Sequence, residues 1–403
     1  MLQRHTCKNG LRIVLEGIPT VRSVTIGIWI RAGSRNETKE NNGISHFLEH
    51  MFFKGTDKKN AKEIAEAFDA IGGQINAFTS KEYTCYYVKV LDTHKEFAVD
   101  LLADMFFHSK FDPEEIEKEK NVVLEEIKMS EDTPDDIVHD LLAEASYGDH
   151  PLGYPILGID NTLKSFTAED LHQYKEKHYR PDNIVISVAG NVDKTFITHV
   201  ESLFDQFTET NQTSSIDKSI FIPKQLTRKK ETEQAHLCIG YPGLPVDASN
   251  IFSLVVINNV LGGSMSSRLF QEIREQRGLA YSVFSYHSSF IDDGLLTIYA
   301  GTGKEYLSVL QETIHQTITS LIQDGLTDKE LKNSKEQLKG NLVLGLESTN
   351  SRMSRNGKNE LLLGRHRSID ELIAEIDEVN MESANQLIQQ IFNQDYSSAL
   401  ISP

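Results

Sequence analysis

The 403-residue sequence predicts an α+β fold made of two homologous domains in tandem. Apolar, β-branched segments such as VTIGIWIRAGS have the composition of buried strands, and segments of helical periodicity follow them along the chain. The same kinds of segment return in the second half, where AHLCIGYPGLP resembles VTIGIWIRAGS. Internal repetition of this kind indicates two copies of one folded unit.

The repeat is clearest in two helical segments. FDPEEIEKEKNVVLEEI starts at Phe111 and LTDKELKNSKEQLKGNL starts at Leu326, an offset of 215 residues with the same helical phase. Between the copies, the polar segment TETNQTSSIDK over Thr208–Lys218 predicts a linker. We therefore expect a first domain over residues 1–214 and a second over residues 215–403.

The composition argues against two classes of partner. The net charge of −18 disfavours binding to a nucleic-acid backbone and mildly favours basic peptides, although it also suits a protein that only needs solubility. No segment approaches the run of about 18 apolar residues that a membrane helix requires, so we expect no membrane partner.

The cysteines and the N-terminus predict a cytoplasmic location. Cys7, Cys85 and Cys238 form no C-x-x-C pair, and an odd number of cysteines favours a reducing compartment. The first residues also lack the cationic and apolar run of a signal peptide.

A short apolar stretch, ISHFLEHMFFKGT, carries the first candidate functional residues. His46 and His50 are four residues apart and therefore share one face of a helix, with Glu49 close to that face. Imidazole nitrogen is a good zinc ligand, and two imidazoles leave room for a third ligand and a water. From this fragment alone, packed core histidines remain an equal alternative.

The helix predicted for FDPEEIEKEKNVVLEEIKMS carries two acids on its apolar face. At about 100° per residue, Glu119 and Glu126 fall inside an apolar arc, where carboxylates are costly unless a metal or a buried arginine compensates them. The second copy has Ser334 and Asn341 at the equivalent positions and no H-x-x-E-H, so acids and histidines are lost together. This joint loss favours one shared site. The apolar arc consists of Ile116, Val122, Val123 and Ile127.

With Glu126 lying 76 residues after His50, the chain resembles the inverzincin zinc peptidases related to pitrilysin, insulin-degrading enzyme and mitochondrial processing peptidase. Its length and two copies resemble the processing-peptidase-like bacterial branch of that family. The resemblance implies domains that each contain a mixed, mostly antiparallel sheet packed with helices. It also implies that His46, His50 and Glu126 bind one Zn²⁺ per chain.

The same resemblance implies the remaining catalytic roles. Glu49 would be the general base that takes a proton from water and passes it to the leaving amine. Glu119 would hold a ligand histidine by its second ring nitrogen. Arg274 and Tyr281, seven residues apart in LGGSMSSRLFQEIREQRGLAYSVF, would stabilise the oxyanion. Arg277 is a nearby competitor for the role of the arginine.

The resemblance further implies a mode of substrate binding. GGQINAFTSKEYTCYY matches the family's substrate-edge strand, with Asn76, Ala77 and Phe78 at the positions that would pair with an extended peptide. An ordinary structural strand remains the alternative. Gly262-Gly263 resembles the glycine-rich loop of processing peptidases, although glycine pairs also mark ordinary turns.

Chain length implies the assembly. Long members of the family join four copies in one chain, with zinc in the first copy and the Arg/Tyr pair in the fourth. Two copies here imply a homodimer in which Arg274 and Tyr281 act in trans, around a chamber that admits short or unstructured peptides. Two alternatives stay open: a non-catalytic structural or binding subunit, which the retained ligands disfavour, and one half of a heterodimeric peptidase, which the retained Arg274 and Tyr281 disfavour.

Overall fold

The computed structural model describes residues 2–207 and 216–403, and these residues form two sheets with helices around them. The predicted linker at Thr208–Lys218 lies mostly outside the described residues. The strands of the first sheet are β1 (Leu2–Thr6), β2 (Arg12–Gly17), β3 (Ser23–Ile30), β4 (Gln74–Thr79), β5 (Thr84–Leu91) and β6 (Ile184–Gly190). The strands of the second sheet are β7 (Gln225–Lys229), β8 (Ala235–Pro242), β9 (Ala280–Ser289), β10 (Gly294–Thr302) and β11 (Ser397–Ser402).

The α-helices of the described residues divide into eight that precede residue 208 and six that follow residue 215. The first group is α1 (Ile44–Met51), α2 (Ala61–Asp69), α3 (Lys95–His108), α4 (Pro113–Glu131), α5 (Pro134–Tyr147), α6 (Asp160–Ser165), α7 (Ala168–His178) and α8 (Thr195–Phe204). The second group is α9 (Ile251–Leu261), α10 (Leu307–Asp324), α11 (Asp328–Gly345), α12 (Thr349–Leu362), α13 (Ile369–Glu378) and α14 (Met381–Phe392). Among the described residues, no helix has both the length and the apolar character needed to cross a membrane.

The two sheets share one topology. The first sheet has the strand order β1-β2-β6-β3-β5-β4 and the second has the order β7-β11-β8-β10-β9. In the first sheet only β2 and β6 are parallel, and in the second only β7 and β11, among the strands that the structure describes. The predicted fold class, two tandem copies of a mixed and mostly antiparallel α+β domain, is therefore confirmed.

The helices keep the spacing of the sequence repeat. Helices α4 and α11 begin at Pro113 and Asp328, and the helices that follow them begin at Pro134 and Thr349. Both pairs are separated by the offset of 215 residues that the sequence predicts. Just before the first of these helices, Asp112 accepts a hydrogen bond from the Glu114 N–H at 2.8 Å, as an N-cap residue does.

Each compact unit contains one helix from the opposite half of the chain. One boundary between the units, near residue 216, lies close to the predicted domain boundary. The units are nevertheless discontinuous in sequence, because α5 packs on β8 and β11, whereas α12 packs on β3 and β6. Contiguous domains of residues 1–214 and 215–403 therefore differ from the observed packing. The first unit is Met1–Lys128, Tyr154–Ile216 and Gly345–His366, and the second is Met129–Gly153, Asp217–Leu344 and Arg367–Pro403.

The first sheet buries both of its faces, because side chains alternate along each strand. On β3, Ile26 and Ile28 pack into the large core with helices α1, α3 and α4. Trp29 points to the other face and packs against Met353 and Leu361 of α12. The helix with the candidate histidines and the exchanged helix therefore cover opposite faces of one sheet.

Close approach of α12 to the sheet depends on Gly357. A Cβ added at Gly357 would collide with the indole of Trp29, whose Nε1 donates to Met353 Sδ at 3.2 Å. The Trp29 side chain is buried, and buried side chains are closely packed by their neighbours. Gly340 offers a comparison, since it is half-buried in α11 with nothing within 4 Å of an added Cβ.

We predict that Gly357→Ala lowers the free energy of unfolding by about 1–2 kcal/mol, because overpacking outweighs the gain in helix propensity. The matched change Gly340→Ala should raise it by about 0.5–1 kcal/mol. Urea unfolding followed by far-ultraviolet circular dichroism measures both. Equal shifts in the two variants would contradict the close packing of α12.

Candidate metal centre

Helix α1 is fixed at its N-terminus by a glycine and a buried acid. Gly43 has φ +95°, and a Cβ there would collide with the backbone of Gly158. The Glu37 carboxylate accepts hydrogen bonds from the backbone N–H groups of Gly43 at 2.8 Å and Ser45 at 2.9 Å. Negative charge at this position also interacts favourably with the helix dipole. The orientation of the helix, and of the residues that it carries, is therefore well defined.

His46 and His50 meet on one face of α1, as their spacing predicts. Their Nε2 atoms are 3.3 Å apart, and both side chains are largely buried. The other ring nitrogen of His50, Nδ1, lies 2.7 Å from Glu119 Oε1, which directs Nε2 towards His46. Lys54 holds the second oxygen of Glu119 at 2.5 Å.

Helix α4 brings Glu119 and Glu126 to this face of α1. Glu126 Oε2 lies 3.5 Å from His50 Nε2 and 3.7 Å from His46 Nε2. The predicted apolar arc is confirmed for the buried Ile116 and Val123. It is wrong for Val122, which is 52% exposed because it lies at the edge of the arc, beyond the contact with the core.

The donor set fits a divalent cation. One atom each of His46, His50 and Glu126 lies within 4.8 Å of the other two. Neighbouring ligands of a tetrahedral zinc ion are about 3.3 Å apart when the bonds are about 2.0–2.1 Å long, close to the spacing of the two Nε2 atoms. His46 Nδ1 is buried and has no hydrogen-bond partner among the described residues, so nothing there opposes metal binding through Nε2.

The electrostatics of the site also favour a cation. Burial and the neighbouring His50 lower the pKa of His46, which keeps its imidazole neutral as a metal ligand must be. Burial also acts to lower the pKa of His50, but hydrogen bonds and charge from Glu119 and Glu126 outweigh it and raise the pKa to about 9. The acids that stabilise a proton on His50 would stabilise a metal ion beside it.

Glu49 lies beside the ligands and has a partner of its own. Thr79 Oγ1, at the end of β4, donates to Glu49 Oε2 at 2.5 Å. Burial raises the pKa of Glu49, although this hydrogen bond opposes the effect. The carboxylate is thus held near the candidate metal position as a possible proton acceptor.

The predicted substrate strand is an edge strand. β4 pairs with β5 alone in the described sheet, so its other edge has no strand partner there. Ala77 packs towards the core, whereas Phe78 is half-exposed and forms an edge-to-face contact with Trp29. The Ala77 N–H donates to the Asn76 side chain at 2.8 Å, a local bond that a pairing peptide would replace.

In the second unit, Arg274 and Tyr281 are in contact. Arg274 lies in a π-helical segment, Phe270–Glu275, and the chain turns at Gly278 (φ +61°) before β9 begins. The Arg274 guanidinium carbon is 4.4 Å from the centroid of the Tyr281 ring, which is 78% exposed. π-helical segments occur frequently at functional sites.

The alternative arginine and the glycine pair have local structural roles. Arg277 forms an ion pair with Glu272, so it is engaged within its own turn. A Cβ at Gly262 would collide with Ser285 of β9, whose N–H donates to the Gly262 carbonyl at 3.1 Å. The glycine pair therefore permits close packing of the end of α9 on the sheet.

The second unit replaces the charged cluster with neutral groups. Ser334 is buried in α11 at the position that corresponds to Glu119. It accepts a hydrogen bond from Asn259 of α9 at 3.0 Å, and Asn259 also donates to Gln337. The joint loss of histidines and acids in this copy therefore leaves a satisfied neutral cluster.

Sequence reasoning missed three residues around the site: Glu37, Lys54 and Thr79. Glu37 lies seven residues before α1 begins, outside the N-cap and first-turn positions that a sequence can reveal, so its contacts with Gly43 and Ser45 arise only from the fold of the loop. Lys54 and Thr79 bond to residues that are 65 and 30 positions away, and no spacing rule connects them.

The chain matches two family models. One described as insulinase (peptidase family M16) matches residues 12–160, and one described as peptidase M16 inactive domain matches residues 165–338. A Bacillus subtilis protein described as uncharacterized zinc protease YmxG is 64% identical, over 100% of this chain and 98% of the relative. A Streptomyces coelicolor protein, also described as an uncharacterized zinc protease, is 41% identical over 100% of this chain and 90% of the relative.

Two solved structures have the same fold. A protease from Helicobacter pylori has a TM-score of 0.93 at 21% identity, covering 100% of this chain and 99% of its own. A Pseudomonas fluorescens protein described as a peptidase M16 inactive domain has a TM-score of 0.93 at 18% identity, covering 100% of this chain and 98% of its own.

We predict that Glu119→Gln weakens zinc binding by about 10–100-fold, because the anion that orients His50 is lost. Glu125→Gln is the matched control, since Glu125 lies on the exposed face of the same helix and pairs only with Lys128 in the described residues. Competition with a chromophoric chelator measures both affinities. Equal affinity of Glu119→Gln and the wild type would contradict the role of Glu119.

Proposed function

Because the chain belongs to the insulinase family of peptidases, family M16, we propose that it is a zinc-dependent endopeptidase acting on short or unstructured peptides. The observation that carries the proposal is the convergence of the His46 and His50 Nε2 atoms with the Glu126 carboxylate. Relatives described as zinc proteases support it.

His46, His50 and Glu126 would hold one zinc ion in each chain. The ion would supply a Lewis acid that brings the pKa of a bound water towards about 7. Three protein ligands leave the fourth position open for that water, as in catalytic rather than structural zinc sites.

Glu49 would act as the general base. It lies within the H-x-x-E-H face of α1 without belonging to the converging ligand set, so its carboxylate is free to accept a proton. Thr79 donates a hydrogen bond to one of its two carboxylate oxygens. The same carboxyl group would then give the proton to the leaving amine. Glu119 would act through His50, whose orientation it fixes.

The substrate would bind as an added strand along β4. An edge strand offers unpaired backbone groups with which an extended peptide can form main-chain hydrogen bonds. Asn76, Ala77 and Phe78 would line this contact, and Thr79 at the end of the strand connects it with Glu49. The net charge of −18 supports a preference for basic peptides.

Arg274 and Tyr281 would stabilise the oxyanion of the tetrahedral intermediate. The guanidinium lies over the exposed Tyr281 ring, so the two groups can act together on one carbonyl. We propose that the pair serves the zinc centre of a second copy of the chain, in a homodimer that encloses a chamber. A cytoplasmic location belongs to the same proposal, because all three cysteines are free.

We predict that Glu49→Gln abolishes hydrolysis of a quenched fluorescent library of basic, unstructured peptides, with a loss of at least about 10³-fold, while zinc content stays unchanged. Glu66→Gln, an exposed change in α2, should leave the rate unchanged. Chelation should abolish wild-type activity and added zinc should restore it. An inert wild type with full zinc content would support a non-catalytic subunit instead.

We predict that two inactive variants restore activity when mixed. If each site combines Glu49 of one chain with Arg274 of its partner, a dimer of one Glu49→Gln chain and one Arg274→Ala chain contains one intact site. Random reassociation should give about a quarter of wild-type activity, because half of the dimers are mixed and each has one of two sites.

The same measurement separates the alternatives. No recovery from a mixture that native mass spectrometry shows to contain mixed dimers would contradict action in trans. An inactive wild type that gains activity only with another protein of its family would support the heterodimer.

A further inference from the structure

A second group of metal-ligating side chains lies where the N-terminal hairpin meets α8. It consists of His5, Cys7 and Glu201, and one ligand atom from each lies within 4.8 Å of the other two. His5 Nε2 is 3.0 Å from Glu201 Oε2. All three residues belong to the first unit and lie outside the H-x-x-E-H centre.

The hairpin presents His5 and Cys7 on one side. Residues two apart on an extended strand point the same way, and Cys7 directly follows the end of β1. The Cys7 N–H donates to the Leu11 carbonyl at 2.8 Å, and the Gly10 N–H donates to the Cys7 carbonyl at 3.0 Å. The turn therefore fixes the backbone that carries the thiol.

The hairpin is joined to α8 independently of the cluster. The Asn9 side chain donates a hydrogen bond at 3.0 Å to the carbonyl of Phe204, which is the last residue of α8. Glu201 lies one turn before that end and therefore faces the hairpin. The Asn9–Phe204 contact thus holds the hairpin against α8 without using a ligand atom, so the cluster is partly preorganised for an ion.

The chemistry of the three side chains suits a zinc-class ion. Imidazole, thiolate and carboxylate are its usual protein ligands, and a thiolate with a carboxylate balances two positive charges. Cys7 is buried, whereas the His5 and Glu201 side chains are 38% and 34% exposed, so the ion could reach the site from solvent. The same exposure lets both side chains make the small movements that close ligation requires.

We propose that His5, Cys7 and Glu201 bind a second divalent ion of the zinc class, which fastens the N-terminal hairpin to α8. An ion here would add to the Asn9–Phe204 contact at the edge of the sheet, where β1 pairs only with β2 among the described strands. If His5 and Glu201 formed only an ion pair, that contact would not require the thiol of Cys7 beside it.

Metal content tests the proposal without reference to activity. The purified chain, saturated with Zn²⁺ and then desalted, should hold two ions per chain. Cys7→Ser should hold one, and so should the double variant His46→Ala/His50→Ala. His199→Gln is the matched control, because His199 lies on α8 but pairs with Asp100 outside the cluster. It should hold two ions.

Cobalt substitution identifies the ligands. Co²⁺ bound through a thiolate gives a near-ultraviolet charge-transfer band, and the H-x-x-E-H centre contains no sulfur. The band should appear in the wild type and in His46→Ala/His50→Ala, and it should vanish in Cys7→Ser. Glu201→Gln, at a half-exposed position that tolerates substitution, should weaken Co²⁺ binding at this site by at least about 10-fold.

The two proposals fail in different ways. One ion per wild-type chain, lost in His46→Ala/His50→Ala and accompanied by no thiolate band, would overturn the second site and leave the peptidase centre intact. One ion that is lost only in Cys7→Ser would support the second site and overturn the metal centre of the proposed peptidase.

Discussion

The hydrogen bond between His50 and Glu119 is the contact on which the candidate site depends. It joins the helix that carries the histidines to the helix that carries the acids, and it directs the second ring nitrogen of His50 towards His46. Of the two acids beside the imidazoles, Glu119 is buried and Glu126 is partly exposed, so the charge of Glu119 in particular requires a compensating cation. Lys54 compensates one carboxylate oxygen of Glu119, and a metal ion would compensate the rest.

Duplication explains why only one of the two units has this cluster. Both units use the same strand order and the same pair of consecutive helices, so either could have placed polar groups at the equivalent point. In the second unit a neutral contact between Asn259 and Ser334 occupies that point. In the second unit Arg274 instead contacts Tyr281, which lies on β9, an edge strand of the described sheet. One fold therefore carries two different sets of polar groups, one in each unit.

The sequence predicts elements and local faces well, because periodicity is a local property. The repeat and the shared faces of the histidines and of the two acids follow from spacing, whereas the sheet class and the choice of Glu126 as the third ligand came from the resemblance to a known family. Exposure of Val122 was predicted wrongly, since the width of a buried arc depends on the partner that covers it. The exchange of α5 and α12 between units is equally invisible, because an amphipathic helix does not specify which sheet it covers. The contact between Thr79 and Glu49 likewise arises only when β4 is placed beside α1.

We propose that two imidazoles and one carboxylate of the first unit bind one zinc ion. Zinc-edge X-ray absorption on Cys7→Ser loaded with one equivalent of Zn²⁺ isolates this centre, since that variant lacks the thiol of the second cluster. We expect nitrogen and oxygen ligands at about 2.0–2.1 Å, with outer-shell scattering from two imidazoles. A sulfur ligand, or scattering from fewer than two imidazoles, would contradict it.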